Sequence, residues 1–378
     1  MNWSLPEMVE AERPAMPRLW VWGIVLLVML VGGFLLAVYL MADNELKDKP
    51  HLLTVAAGVP FLLWLLLFGL RLMAADIPGT VVAARNQVLG QRRQQWRRWA
   101  NQGMCLLAEN RLTAPDESGG VFSAGGELPV NQNNHLELHT LSDLPVWERH
   151  QQLLTTLLEP VVRWHQQHAG GTPVSLAWTI SSPADEDWSS LLSAAAEQLS
   201  LPLASVSPLA NDSFTGWLTD ACDKPPAGLC CLVFIESGDQ ASQEAAALLL
   251  ASDAQCRALK LLPLRRLSRP LLAPFTKLAE ALQLQCSQQQ TADKLYTGWY
   301  TAVPDAMVEK LQLTCSTQHL ACGTSRLHDA DSALGLPGVA REAVMLSLAA
   351  HASGAVQLFS SDQGQCCLWQ VQIPGGRA

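Results

Sequence analysis

GLCCLVFIES, residues 228–237, is an unbroken apolar run that closes on a glutamate and a serine. A strand with one wet face alternates apolar and polar residues. A run without alternation, four to eight residues long and bounded by turn formers, reads as a strand buried on both faces. The segment therefore predicts a central strand in a sheet covered by helices. Its neighbours agree. VSLAWTISS (174–182) reads as a strand. DWSSLLSAAAEQLSL (187–201) reads as a helix with Asp187 as its N-cap. DSFTGWLTDAC (212–222) reads as a second helix. Further on, GVAREAVMLSLAAHASG (338–354) reads as a helix stopped by glycine. AVQLFSSDQGQCCLWQVQI (355–373) reads as a hairpin turning at SSDQG. Residues 104–140 are less regular, and the Gly- and Asn-rich ESGGVFSAGGELPVNQNN (117–134) predicts loops and short strands. The order of strands and helices predicts a layered α/β domain with a parallel or mixed sheet.

The N-terminal part differs. The chain has 378 residues, 49% of them apolar and only 16% charged, and the imbalance is local. Residues 19–42 and 52–70 are both free of charge. About 20 helical residues cross a hydrocarbon core of about 30 Å, so each run is long enough to span a membrane. Each is also longer than a signal-peptide core of about 7–15 residues. Trp20, Trp22 and Tyr39 lie near the ends of the first run, where amphipathic rings favour the headgroups. The link DNELKDKPH is short, and Arg71, Arg85, Arg92, Arg93, Arg97 and Arg98 follow the second run. The positive-inside rule then predicts a two-pass membrane protein, with N-terminus and C-terminal domain both cytoplasmic. The expected organisation is a tail (1–18), a membrane hairpin (19–70), a basic juxtamembrane connector helix (71–103) and a soluble cytoplasmic α/β domain (104–378).

The connector carries GQRRQQWRRWANQG, residues 90–103. Trp96 and Trp99 are three apart and share a helix face, and Arg92, Arg93, Arg97 and Arg98 flank them. Membrane-surface contact is the expectation for these six residues, each arginine contributing about 1 kcal/mol near anionic lipid. The alternative is a connector helix whose tryptophans pack on the soluble domain. Nucleic acid is not an expected partner. Beyond Gly103 the chain has 15 basic and 27 acidic residues, a net charge of −12, and phosphate binding needs clustered basic side chains.

Ten cysteines all lie beyond the apolar runs. Cys230–Cys231 and Cys366–Cys367 are adjacent, and no CxxC occurs. That pattern reads as small buried hydrophobes in a reducing compartment rather than a disulfide framework or a zinc site. Catalytic signatures are scarce: there is no phosphate loop, HExxH, GxSxG or GxGxxG. His165 and His168 sit three apart on an expected helix and read as a solvated face. His319, Cys322 and His328 form the densest group of reactive residue types, though closeness in sequence does not create a thiolate beside a base. No cofactor or metal is expected.

Residues 228–371 resemble the ketosynthases of the thiolase-like superfamily. The resemblance rests on EAAALLLA (244–251), VPDAMVEKL (303–311) and DADSALGLPGVAREAVMLSLAAHASGAVQLFSSDQGQCCLWQV (329–371). It implies a thiolase-like layered core. It also implies a nucleophilic Cys at the start of a buried helix, with His or Asn from HGTGT-like and glycine-rich loops. No HGTGT occurs, and SSDQGQC stands where a GFGG-type loop is expected. The resemblance thus implies a degenerate, non-catalytic scaffold. The layout of tail, hairpin and cytoplasmic domain is similar to accessory proteins of bacterial type VI secretion. That likeness implies a non-catalytic adaptor whose partners are other proteins, a secretion component or an effector, and the lipid bilayer. Two alternatives stand beside it: a membrane-anchored acyl-handling enzyme of thiolase-like fold, and an immunity protein against a cognate toxin.

Overall fold

The computed structural model describes residues 3, 10–12, 18–41, 51–117, 128–139, 144–183, 186–210, 213–289, 295–317, 326–362 and 364–374. The chain divides into two compact units, Met1–Trp96 and Arg97–Ala378.

The first unit is built on α1 (Leu19–Met41) and α2 (His51–Ala100), whose last turn belongs to the second unit. Both helices are long and apolar enough to cross a membrane. The two pack closely. A Cβ on Gly33 would lie 2.4 Å from the Ala56 carbonyl oxygen, so only glycine fits that crossing. Trp64 Nε1 donates to the Trp22 carbonyl at 2.8 Å, and the Trp64 and Phe68 rings stack with centroids 5.0 Å apart. The apolar run and the arginine-rich connector are one continuous helix of 50 residues that contains Pro60 and Pro78. The tail returns along it: Asn86 exchanges two hydrogen bonds with the Ala11 backbone, at 3.0 and 3.2 Å, and Glu10 pairs with Arg93 at 2.6 Å.

The second unit begins with β1 (Gly103–Thr113) and α3 (Ala114–Glu117), then α4 (Val146–His168), β2 (Val174–Ser181), α5 (Trp188–Gln198), β3 (Leu203–Pro208), α6 (Phe214–Asp223), β4 (Leu229–Glu236) and β5 (Glu244–Ser252). After α7 (Asp253–Leu259) come β6 (Arg265–Ser268), β7 (Leu271–Pro274), α8 (Leu278–Gln289), β8 (Leu295–Thr301), α9 (Asp305–Thr317), β9 (Leu327–Asp329), α10 (Ala330–Leu334), α11 (Arg341–Ala350), β10 (Ala355–Asp362) and β11 (Gln365–Gln372). The caps follow the sequence: Asp187 accepts from Ser190 N ahead of α5, and Ser213 accepts from Gly216 N ahead of α6.

The strands form one mixed sheet in the order β3-β2-β4-β5-β1-β6-β11-β10-β8-β9. A short eleventh strand, β7, lies off this path and pairs with the start of β11. With β7 left aside and strands numbered within their own half, each half runs 3-2-4-5-1. In both halves strands two, three and four are parallel and strand five is antiparallel to its neighbours. The domain is therefore an internal duplication joined where the two first strands, β1 and β6, pair antiparallel. Its third-position helices, α6 and α11, correspond.

Burial on both faces of the central strands is as the sequence implied. Along β4, Leu232 and Phe234 enter one core, while Cys231, Val233 and Ile235 enter another. The second core lies under α4 and α5. The first gathers α6, α11 and strands of both halves; α11 touches β1 and β5 on one side and β8, β10 and β11 on the other. The least legible segment, 104–140, opens with an 11-residue strand, β1. Its polar half is held by distant partners: Asn110 donates to the Thr156 and Leu157 carbonyls at 3.0 Å, and Arg111, paired locally with Asp116, also donates to the Ser347 hydroxyl at 3.1 Å.

Candidate functional site

The inner helices α6 and α11 meet at their first turns. Thr215, second in α6, donates from its backbone N–H to Glu342, second in α11, at 3.0 Å. The Thr215 hydroxyl lies 3.1 Å from each oxygen of the same carboxylate. A hydroxyl and a carboxylate are thus held together across the duplication, with Thr215 buried and Glu342 partly open to solvent.

A buried ionic lock fixes the start of α11. Arg341 is 1% exposed. Its Nε donates to both oxygens of Glu244 at 3.0 Å, and its Nη1 to Asp331 at 2.7 Å. The remaining donors reach the carbonyls of Leu334, Gly335 and Leu336 at 3.1–3.2 Å. A guanidinium so deep needs every donor used, because an unpaired buried charge costs several kcal/mol (about 3–5). Asp331 in turn accepts from the Thr301 hydroxyl and from Ala302 N, both at 2.6 Å. That clasp holds Ala302 at φ +53°, a left-handed conformation that a non-glycine residue seldom adopts.

Glu236 and Glu244 face each other across β4 and β5. Like charges directly opposite in a sheet repel. Each is neutralised differently: Glu244 by Arg341, Glu236 by the N–H groups of Gly238 and Val339 at 3.1 Å, the latter just ahead of α11. Gly338 makes room for it, since a Cβ there would lie 2.5 Å from Glu236 Oε2. Burial pushes the Glu244 carboxyl up to about 7 against the opposing pull of Arg341. Burial also raises Asp329 and Tyr300 and lowers His328, which packs on the Trp299 ring. Perturbed groups gathered at one place mark a candidate site on physical grounds.

The residues singled out from sequence fare unevenly. Of the group His319, Cys322 and His328, the first two lie outside the described residues. His165 and His168 do not share a solvated face: His165 is fully buried and bonds the Thr172 carbonyl at 2.9 Å, while His168 stacks on Trp164 outside. The nine described cysteines are buried and unbridged, and none stands at the start of α6 or α11. Among the described residues no three His, Cys, Asp or Glu converge as metal donors. In the arginine-rich segment, Arg92, Arg97 and Arg98 are exposed and Arg93 pairs with Glu10. Trp99 is buried in the second unit, with Arg269 4.3 Å above its ring and Nε1 3.3 Å from Asp223.

No protein-family model matches the sequence, and no curated protein matches it. Solved structures do. A type II ketosynthase, in complex with its acyl-carrier protein and bound to the hexaketide, superposes with a TM-score of 0.51 at 9% identity, covering 72% of this chain and 99% of its own. OleA of Xanthomonas campestris (E117Q) gives 0.46 at 13% identity, with 72% and 98% coverage. The 3-oxoacyl-(acyl carrier protein) synthase III FabH of Xanthomonas oryzae gives 0.45 at 12%, with 72% and 99%. The fold of the second unit is thiolase-like, a mixed α/β sheet. One expectation is corrected by this finding. Missing short motifs had implied a non-catalytic chain, but the fold of the second unit is one that a ketosynthase also has.

Proposed function

We propose that this protein is a membrane-tethered acyl-handling protein whose thiolase-like unit receives an acyl group from a thioester. One observation carries the reading: two five-stranded halves in the order 3-2-4-5-1, enclosing α6 and α11, the arrangement shared with a ketosynthase at a TM-score of 0.51. The secretion-adaptor and immunity readings have no comparable finding behind them. The test uses the full chain in lipid nanodiscs with palmitoyl-CoA as acyl donor. Free thiol released over time, or acyl retained on the protein, is expected. Neither appearing above the level of heat-denatured protein would end the proposal.

The tether is the second part of the proposal: two passes through a bacterial inner membrane, with N-terminus and second unit cytoplasmic. Almost none of either apolar window is buried within the protein, 6% and 0%, unlike a core helix. The contacts from Glu10 and Ala11 to Arg93 and Asn86 bring the tail beside the segment that follows the second apolar run, as a hairpin requires. Trp99 is buried in the second unit and does not share the membrane-surface contact expected of it; for Arg92, Arg93, Trp96, Arg97 and Arg98 that contact carries a condition. At 1.5 Å per residue, Arg92 stands roughly 33 Å of helix beyond Leu70. Those residues reach headgroups only where α2 bends toward the bilayer, and Pro78 is the place in the helix where an i−4 hydrogen bond is missing.

A further inference from the structure

We infer that Thr215 is the acyl acceptor of this protein and Glu342 the base that activates it, an inference that rests on the acyl-handling reading. The candidates for a nucleophile are few. Burial pushes the thiols of Cys230 up to about 11 and of Cys222, Cys231 and Cys366 up to about 12, and Cys256, which its hydrogen bond with Cys105 lowers, lies in α7 and not at the start of either inner helix. At neutral pH the raised thiols hold roughly one thiolate in 10⁴ or fewer, and the thiolate is the nucleophile. Cys105 donates to Asp253 at 3.2 Å, but the Asp253 carboxylate is already claimed by Arg266 at 2.9 Å. Ser347 also sits beside a carboxylate, Glu109, which His351 approaches at 2.5 Å. Ser347 is fully buried, however, and Arg111 donates to its oxygen at 3.1 Å. A lone pair engaged by a cation is a weak nucleophile.

Thr215 has the converse arrangement. Its hydroxyl has a base within hydrogen-bond reach, both Glu342 oxygens at 3.1 Å, and among the described residues no donor competes for the oxygen. The base is itself oriented by a third group, the Thr215 backbone N–H at 3.0 Å. Nucleophile, base and orienting group are the constellation that covalent acyl transfer needs. Glu342 follows Arg341 directly, so the buried lock to Glu244 and Asp331 fixes the base to within a rotamer. Arg341, Glu244 and Asp331 are thus positioning residues. The step balances: the Thr215 oxygen attacks the thioester carbonyl as Glu342 takes the hydroxyl proton. The carbon–sulfur bond then breaks and Glu342 passes that proton to the departing sulfur. The products are an acyl ester on Thr215 and a free thiol.

The experiment is peptide mapping by mass spectrometry of the full chain in nanodiscs after exposure to palmitoyl-CoA. An acyl group on the Thr215 peptide is expected, stable to neutral hydroxylamine and cleaved by alkali, as an oxyester is. Thr215→Ser should keep it, Thr215→Val should abolish it, and Glu342→Gln should slow loading by about 10²–10⁴-fold. Hydroxylamine-labile acyl on a cysteine, or undiminished loading of Thr215→Val, overturns the inference and leaves acyl handling standing. Thiol release without any covalent adduct does the same. Neither release nor retention by the parent chain removes both. The mapping on the parent needs no variant, so a misfolded Thr215→Val does not blunt the test.

Discussion

Replacing Arg341 by methionine keeps the side-chain volume and removes the charge. Glu244 then loses its counter-ion in a fully buried position, and three carbonyls in the 334–336 turn lose their donors. Removing one partner of a buried pair costs about 3–5 kcal/mol, which corresponds to a 10²–10⁴-fold change in an opening equilibrium. Hydrogen exchange of the α11 amides, measured on the full chain in nanodiscs and corrected for intrinsic rates, reads that opening. The pH dependence follows from Glu244. Its folded value, about 7, lies above the 4.5 of an unburied glutamate. The stability it contributes is fully present below about pH 4.5 and is lost as pH rises through about 7. The whole loss is about 3 kcal/mol. A neutral Glu244 does not need Arg341, so the variant's penalty should be smaller at pH 5 than at pH 8. Acceleration of less than about tenfold at pH 8, or equal acceleration at both pH values, would refute the ionic account of how α11 is fixed.

Gly338→Ala forces a methyl to within 2.5 Å of Glu236 Oε2. It should cost about 1–3 kcal/mol by overpacking, seen as a lower thermal midpoint, while an unchanged midpoint would mean that the carboxylate has room to shift. Trp99→Ala removes a buried ring, its contact with Arg269 and its bond to Asp223. A loss of about 3–5 kcal/mol is expected, read as faster exchange at β6 and α6, with the end of β1 near Thr113 as an unaffected control. Changing Arg92, Arg93, Arg97 and Arg98 together to glutamine should weaken cytoplasmic placement of the C-terminus in a reporter fusion. Unchanged orientation would show that Arg71 and Arg85 suffice.

Elements whose burial and local pattern agree were legible. Strand β4 could be read because both its faces meet apolar cores, so no alternation was needed to recognise it. Helix α5 could be read from Asp187, whose side chain caps it as local chemistry dictates. Strand β1 resisted because Glu109, Asn110 and Arg111 break its apolar run, and each has a partner far off in the sequence. The duplication was invisible, since its two copies share topology and not residues at a short period. The site was illegible for the same reason as β1. Thr215 and Glu342 are 127 residues apart, and Glu244 and Arg341 are 97 apart. One signal was nonetheless present. Glu244 opens EAAALLLA, and Arg341 sits beside Glu342 inside GVAREAVMLSL, charges embedded in otherwise apolar runs. Charged residues are almost never fully buried unless paired, so two opposite charges in buried-looking elements imply each other.

The duplication also gives the carboxylates at the junction a reason. Pairing the two first strands antiparallel brings the first turns of α6 and α11 together. Each helix start carries roughly half a positive charge from its unsatisfied N–H groups. Two such ends in one desolvated place repel unless anions lie between or beside them. Glu342 bridges them, accepting from Thr215 N, and Glu236 accepts from Val339 N at the threshold of α11. Arg341 adds a further positive charge, balanced by Glu244 and Asp331. The junction is therefore a region where negative charge is stabilised by fixed groups that need not reorganise. An oxygen gaining charge at Thr215 develops it inside that field, and preorganised stabilisation of developing charge is commonly the largest contribution an enzyme fold makes. The groups that hold the fold's centre together and those that would lower the barrier to acyl transfer are on this account the same ones. Altering the charge at Glu342 should consequently change both α11 protection and loading rate. Thr215→Ser, which keeps the hydroxyl bond to Glu342, should leave α11 protection unchanged.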